Sequence, residues 1–277
     1  MPVLTTDSMR AFVSNARLTK PSIRSRLRGG EAPPIELKDT DAQALVVGSG
    51  LIVAAEDVPA ETRQDIVNCT LFAQLAASGT VTDPSKVTEW YGEYFRALST
   101  CGWAQSGTQF EEFKASGKHL EAHKSIIKVL TVMLGPTAAA VTLVTEMLNA
   151  LQSMDENNPW ITLFNRESTT IRTSRFQVAT AQKNANGLVE VALVAFDLRS
   201  KINLTQVLFF KFSSNKVNLK FSQGKATIYE AALAQTRQLV KERLEAYRSE
   251  YIREVKFPPK PAAVRSAALV RTRRRAA

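Results

Sequence analysis

The stretch of residues 125–151, SIIKVLTVMLGPTAAAVTLVTEMLNAL, most constrains how this chain can fold, because no charge occurs between Lys128 and Glu146. A helix needs about 20 consecutive apolar residues to span a bilayer. Here Gly135-Pro136 divides the run, so neither arm is long enough. The pattern predicts a helical hairpin whose second helix, apolar on nearly all sides, is wholly buried in the core. A hairpin that inserts into a membrane after a conformational change is the alternative.

Charge is concentrated at the two ends of the chain. Of a net charge of +10, residues 1–30 carry +5 and residues 256–277 carry +7, which leaves −2 for the rest. Apolar residues make up 44% and charged residues 22%, so a folded core is expected and global disorder is excluded. We predict flexible basic tails at 1–34 and 257–277, on either side of a single domain of residues 35–256.

Basic tails on a nearly neutral body can contact polyanions, whether anionic lipid, nucleic acid or an acidic protein. The alternative is that both tails are solvated ends without a partner. The side chains predicted to make polyanion contacts are the arginines of the two tails: Arg24, Arg26, Arg28, Arg271, Arg273, Arg274 and Arg275.

The two cysteines, Cys69 and Cys101, are too few for a disulfide framework, which indicates folding in a reducing compartment. Both are interpreted as small buried hydrophobes, with S-acylation of one of them, a lipid attachment, as the functional alternative. The first residues lack a charged start followed by an apolar core, so no secretory signal is predicted. Synthesis in the cytoplasm follows, and release without a classical signal peptide stays open.

Apolar spacing in the first half of the chain predicts helices, with Gly and Pro at their ends. One short helix is expected from Asp39 to a stop at Gly48–Gly50. In the next two, Asp57-x-Pro59 and Asp83-Pro84 are expected at the start, and Gly79 and Gly102 at the end. The predicted helices cover 39–50, 59–79, 84–102, 119–134 and 137–154.

The second half of the chain favours strands. Four β-rich segments predict an antiparallel meander of about four strands with one solvent-exposed face. These segments are FQVATAQ (176–182), VEVALVAF (189–196), QVLFFKF (206–212) and KVNLKF (216–221). Asn186-Gly187 marks a hairpin between the first two, and 213–215 joins the last two. A closing helix is predicted from a capping box of Thr227 and Glu230. The fold class is therefore α+β, with a helical N-terminal half packed on the meander and a C-terminal helix to close it.

Several motifs resemble parts of catalytic or cofactor-binding sites, but each of them is incomplete. LVVGSGLIV lacks the third glycine of a dinucleotide fingerprint, since Val53 stands there. HLEAH places His119 and His123 four residues apart, but no third zinc ligand is evident, and both are interpreted as exposed on an amphipathic helix. With only these two histidines and no nucleophile elbow, the sequence disfavours an enzyme. No cofactor and no metal are predicted.

A dense aromatic group precedes the apolar stretch. Rings alternating with basic residues are typical of single-strand nucleic-acid binding, but only Arg96 accompanies these rings. Their helical spacing favours core packing. The group comprises Trp90, Tyr91, Tyr94, Phe95 and Trp103.

VNCTLFAQLAASGTVTD (67–83), EWYGEYFRALSTCGW (89–103) and the strands of 187–212 resemble a group of bacterial and fungal proteins without an assigned function. The resemblance covers about residues 38–250 and is consistent with an α+β fold, but implies no active site. The size and the helix-then-strand order also resemble small bacterial virulence factors that act on insect guts and carry an acylated cysteine. That resemblance does not say which of Cys69 and Cys101 would correspond.

Two functional hypotheses follow. The leading one is a non-enzymatic effector of the virulence type that binds a host surface or membrane, with basic tails that aid contact with polyanions. The alternative is an intracellular structural or interaction protein whose tails bind nucleic acid or an acidic partner.

Overall fold

A computed structural model of the chain describes residues 5–19, 37–105, 109–114, 118–155 and 157–257. The helices are α1 (Thr6–Asn15), α2 (Ala60–Thr80), α3 (Val87–Thr100), α4 (Ala122–Leu134), α5 (Ala139–Gln152), α6 (Pro159–Ser168) and α7 (Glu230–Tyr251). The strands are β1 (Gln43–Val47), β2 (Gly50–Ala54), β3 (Trp103–Gln105), β4 (Glu111–Glu112), β5 (His119–Leu120), β6 (Thr173–Lys183), β7 (Val189–Ser200), β8 (Phe212–Ser213), β9 (Val217–Ile228) and β10 (Ile252–Val255).

The described strands form one large mixed sheet in the order β10-β1-β2-β6-β7-β9-β3, with β4 also paired to β9. β2 and β6 run parallel, and the other pairs are antiparallel. The long strands β6, β7 and β9 form its centre, where Phe176 lies opposite Phe196, which lies opposite Phe221. β5 and β8 pair separately.

Helices cover both faces of this sheet, so the body has three layers. On one face, α1, α2, α3 and α7 pack against residues such as Leu45, Ile52 and Leu193. On the other, α4, α5 and α6 pack against residues such as Val46 and Phe196. We call these the four-helix face and the three-helix face.

The α+β class and the closing helix are confirmed. The hairpin at Asn186-Gly187 is present, with Gly187 at a φ of 75°. The strand predicted at 189–196 lies in β7, and all but the first residue of the strand predicted at 216–221 lies in β9. The closing helix is α7, which is followed by the further strand β10.

The helix predicted over 39–50 is wrong, because residues 43–54 form the β1–β2 hairpin. The β-branched residues Val46 and Val47 favour strands, and Gly48 takes a φ of 53° that the tight turn requires. A glycine after an apolar run is typical of a helix end, but a short run of β-branched residues before a glycine equally indicates a turn.

Other details of the predicted meander also differ. Only Phe212 of the strand predicted at 206–212 is in a strand, and that strand pairs with β5 instead of β9. Neither face of the sheet is exposed to solvent at its centre, since Val194 and Ala195 point to opposite faces and are both fully buried. The capping box is also wrong, because Thr227 lies inside β9 and Tyr229 precedes α7 without a side-chain cap.

The predicted N-terminal tail contains an ordered helix. In α1, Met9 and Val13 are buried, and Arg243 of α7 donates hydrogen bonds to the carbonyl oxygens of Ser14 and Ala16. The described chain then continues to Thr19. Gly79 of α2 allows this segment to cross closely, since a Cβ there would lie 1.8 Å from the carbonyl oxygen of Arg17.

The apolar stretch forms the predicted hairpin and lies in the core of the three-helix face. Val144 and Met147 are fully buried, as the core interpretation predicts, and insertion after a conformational change stays the alternative hypothesis. The second helix is not wholly buried, since Thr142 and Asn149 are exposed. In the described ranges no helix is both long and apolar enough to cross a membrane.

Candidate functional site

The arginines predicted to contact polyanions all lie outside the described residues. Arg24, Arg26 and Arg28 fall between Thr19 and Leu37, and Arg271 and the three arginines at 273–275 follow Phe257. Thr19 and Tyr251 line the same pocket, and Phe257 is six residues beyond Tyr251. At about 3.3 Å per residue, the two basic segments therefore leave the described body within roughly 25 Å of each other.

Cys69 and Cys101 are brought together. Cys69 lies in α2, and Cys101 directly follows α3; both are buried free thiols whose side chains contact each other. The contact with the Cys101 side chain, together with burial, raises the pKa of the Cys69 thiol well above its ordinary value. Because the thiolate is the nucleophile, Cys69 is unreactive while this packing holds. Acylation of either cysteine stays a prediction, and requires a thiol that has left this packing.

The two histidines do not share the predicted exposed helical face. His119 is in β5, whereas His123 is in α4 and only 8% exposed, with Nδ1 2.9 Å from the carbonyl oxygen of Leu208. Among the described residues, no group of three or more His, Cys, Asp or Glu side chains could hold a metal ion. The interpretation of His123 as an exposed residue is therefore wrong.

A polar pocket that sequence reasoning did not find lies at one end of the four-helix face. Its cavity has a volume of about 60 Å³ and is partly open to solvent. Its walls come from distant parts of the chain, because the start of β6, the C-terminal parts of α2 and α6, and the last residue of α7 meet here. The lining includes Thr19, Ser78, Trp90, Glu167, Arg175 and Tyr251, and we call it the Arg175 pocket.

The guanidinium group of Arg175 is the central charge of this pocket. It stacks over the ring of Trp90, with Cζ 4.5 Å from the ring centroid. Its Nη2 lies 3.4 Å from Ser78 Oγ, and its buried Nε has no hydrogen-bond partner among the described residues. Asp197, the cross-strand partner of Arg175, pairs with Arg199 instead. Arg175 therefore carries a positive charge that no described carboxylate neutralises directly.

Glu167 supplies the opposite charge. Burial raises its pKa above the ordinary value, while the guanidinium groups of Arg166 and Arg175 act in the other direction. Its Oε1 accepts a hydrogen bond from Arg166 Nε at 2.6 Å. Tyr251 lies nearby, and burial also raises the pKa of its hydroxyl. The pocket thus combines a cation, a half-buried carboxyl group and aromatic walls.

Behind the pocket, buried polar side chains form a fixed network. Gln74 Nε2 donates to the carbonyl oxygen of Val47 and to Gln177 Oε1, both at 3.0 Å. Ser49 Oγ donates to the same Gln177 oxygen, and Gln177 Nε2 donates to Tyr91 Oη at 3.2 Å. Each member is held by the next, so the floor of the pocket is rigid.

One sequence signal could have found Arg175. Strand periodicity places it on the same face of β6 as Gln177 and Ala179, so two long polar side chains precede an apolar residue on a face that helices cover. Polar residues on a buried strand face indicate either a hydrogen-bonded network or a binding site. Glu167 gave no such signal, because its role depends on the tertiary position of α6.

The structure is similar to that of a delta-endotoxin, with 11% identity, a TM-score of 0.40 and coverage of 76% of this chain and 92% of that one. It is similar to the Evf virulence factor, with 8% identity, a TM-score of 0.36 and coverage of 75% and 85%. It is also similar to the activated Cyt2Ba monomer from Bacillus thuringiensis subsp. israelensis, with 14% identity, a TM-score of 0.30 and coverage of 49% and 80%. No model of a known protein family and no curated protein matches the chain.

Proposed function

We propose that this protein is a non-enzymatic effector of the virulence type that binds an anionic host surface or membrane through its basic segments. The observation that carries the proposal is the separation of charge, with +12 in residues 1–30 and 256–277 against −2 in the rest. Each basic residue near an anionic membrane contributes about 1 kcal/mol of attraction. A nearly neutral body with such segments is attracted to a surface in one orientation.

The positions at which these segments leave the body support a shared surface. The first segment follows Thr19, which bonds to Leu75 of α2, and the second follows Phe257, which packs on the three-helix core. β10 carries the chain from Tyr251 along β1 toward Ala44, and the two exits are still at most about 25 Å apart, so one anionic surface can contact both segments. The chain is proposed to be made in the cytoplasm and to act after release.

The test compares the full-length protein with two sevenfold variants of the predicted contact arginines. One changes all seven to glutamine, and the matched control changes them to lysine, which keeps the charge. Each protein is sedimented with phosphatidylcholine vesicles that do or do not contain phosphatidylserine, at low and high salt. Deletion of residues 1–30 is unsuitable, because it would also remove α1 and its buried Met9 and Val13.

We expect the unmodified protein and the lysine variant to sediment with the anionic vesicles only, and salt to weaken this binding. The glutamine variant should bind roughly 100-fold more weakly or worse. Equal binding by the glutamine variant would show that the arginines are not the contact. Tight, salt-sensitive binding to duplex DNA without vesicle binding would instead favour the intracellular alternative.

S-acylation of Cys69 or Cys101 is proposed as a second membrane anchor. Because both thiols are buried, the acyl chain must be added before this packing forms or in an opened state. Intact mass of protein from its natural host should show an acyl increment that hydroxylamine removes, and that Cys69→Ser or Cys101→Ser abolishes. An unmodified mass would leave both thiols as core residues.

A further inference from the structure

We propose that the Arg175 pocket is a binding site for a small organic carboxylate. In the proposed complex, the carboxylate of the ligand contacts the terminal nitrogens of the Arg175 guanidinium, which lines the pocket. The fold makes little use of this guanidinium, since among the described residues Nη2 makes one long contact to Ser78 Oγ and Nε has no hydrogen-bond partner.

The geometry of a guanidinium selects the ligand class. Two parallel N–H groups on one edge match the two oxygens of a carboxylate, and such bidentate pairs are among the strongest hydrogen bonds in proteins. An arginine with few hydrogen bonds inside the fold gains more from a ligand acceptor than an arginine whose N–H groups are already paired. Arg175 is half-buried and its Nε is enclosed by the protein, so the terminal nitrogens are the part of the guanidinium that a ligand can reach.

The surroundings of Arg175 limit the charge of the ligand. Glu167 lines the same pocket, and Arg166 is paired with Glu167 and Glu250, so Arg175 is the cation left for a ligand among the groups that line it. One positive charge beside a carboxyl group favours a ligand with a single negative charge over a doubly charged phosphate. A ligand that also carries an ammonium group places it near Glu167.

The size of the pocket and the nature of its walls limit the rest of the ligand. A cavity of about 60 Å³ admits only a very small molecule, or the carboxylate end of a longer one. Trp90 is held in place because its Nε1 donates to Ser78 Oγ at 2.9 Å, and Tyr251 closes another side. These rings offer apolar contact to a short aliphatic or aromatic group attached to the carboxylate.

Nuclear magnetic resonance on the full chain tests this proposal directly. The protein has three tryptophans, so its indole N–H groups give three signals. Trp90 lines the pocket, whereas Trp160 donates its Nε1 proton to the carbonyl oxygen of Glu254, and Trp103 is buried away from the lining. The Trp90 signal reports on the site, and the other two serve as internal controls.

The probes are sodium acetate, glycine, methylammonium chloride and inorganic phosphate, each titrated to roughly 50 mM. Acetate and glycine should shift the Trp90 signal along a saturating curve and leave Trp103 and Trp160 unmoved, while methylammonium should have no effect. Tighter binding of glycine than of acetate, removed by Glu167→Gln, would place the ammonium group at Glu167. Equal binding would support a carboxylate site without that contact.

Variants of nearby arginines separate the role of Arg175 from general charge. Arg175→Gln should weaken acetate binding by about tenfold or more. Arg175→Lys keeps the positive charge but cannot form two parallel hydrogen bonds to a carboxylate, so this variant should bind acetate more weakly than the parent protein. The matched control is Arg172→Gln, an exposed arginine that directly precedes β6, and it should bind as the parent does.

Three results would overturn the proposal. In the first, neither acetate nor glycine shifts the Trp90 signal of the parent protein along a saturating curve. In the second, a folded Arg175→Gln variant binds acetate as tightly as the parent protein. In the third, the parent protein binds phosphate more tightly than acetate. The first and third are measured on the parent protein, so the proposal remains testable if Arg175→Gln does not fold.

Discussion

The two faces of the central sheet bury different kinds of side chain. The four-helix face holds a connected polar network that runs from Ser49 through Gln177 to Tyr91. The three-helix face is packed largely by apolar side chains such as Val144, Met147 and Phe176. Apolar contacts are non-directional and mainly stabilise, whereas a buried network fixes individual side chains and can leave one of them incompletely bonded. Arg175, at the edge of the network, is such a group.

The largest expected effect comes from placing a charge in the apolar face. Val144→Asp puts an unpaired carboxylate among buried side chains, so we expect a protein that fails to fold or loses more than about 3 kcal/mol of its free energy of unfolding. The matched control is Thr142→Asp on the exposed side of α5, which should change it by less than about 0.5 kcal/mol. Urea denaturation measures both, and similar results for the two would contradict the burial of α5.

A smaller effect is expected from removing one hydroxyl of the polar face. Tyr91 Oη lies 2.8 Å from the carbonyl oxygen of Phe196 and 3.0 Å from that of Phe176, and it accepts a hydrogen bond from Gln177. Tyr91→Phe removes these contacts and the acceptor of Gln177 Nε2, and should cost about 1 to 2 kcal/mol. Tyr229→Phe, at a 52% exposed tyrosine, is the control and should be nearly neutral. If Tyr91→Phe were equally neutral, the network would not contribute to stability.

The smallest effect is a change in pH dependence. Asp197 is 4% exposed on the four-helix face, and burial raises its pKa above the ordinary value of 3.8. The pKa of Asp197 is therefore higher in the folded protein than in the unfolded chain. At a pH between these two values, the folded state keeps a proton that the unfolded state has lost. The contribution of Asp197 to the free energy of unfolding therefore falls as the pH rises through this range. Asp197→Asn removes this contribution. Relative to the parent protein, the variant should therefore gain stability as the pH rises from about 4 to 7.

Thermal unfolding of both proteins over this pH range measures the difference. A variant that instead loses stability relative to the parent as the pH rises would show that the pair with Arg199 outweighs burial in setting this pKa.

Local patterns were sufficient to predict much of this fold from the sequence. Gly135-Pro136 ends α4, Asn186-Gly187 forms a hairpin, and the alternation of 216–221 gives the start of β9. Short-range chemistry decides each of these features. The helical hairpin was also predictable, because its uncharged length suits packed helices and is too short for a spanning one.

Features that depend on distant residues were not predictable. Val46 and Val47 are in a strand because β10 and β2 lie on either side of β1, and β10 comes from the far end of the chain. The Arg175 pocket is assembled from α2, α3, α6, β6 and α7, so no local motif encodes it. The contact between Cys69 and Cys101 likewise arises from the packing of α2 against the end of α3.

Hydrogen–deuterium exchange of the full chain, with and without vesicles that contain phosphatidylserine, most directly tests whether the basic segments bind while the three-helix face stays closed. We expect residues 20–36 and 258–277 to exchange more slowly when vesicles are present, and the amides of α5 to keep their protection. Loss of protection in α5 on vesicle binding, with no change in the basic segments, would contradict this mechanism and identify the hairpin as the part that meets the membrane.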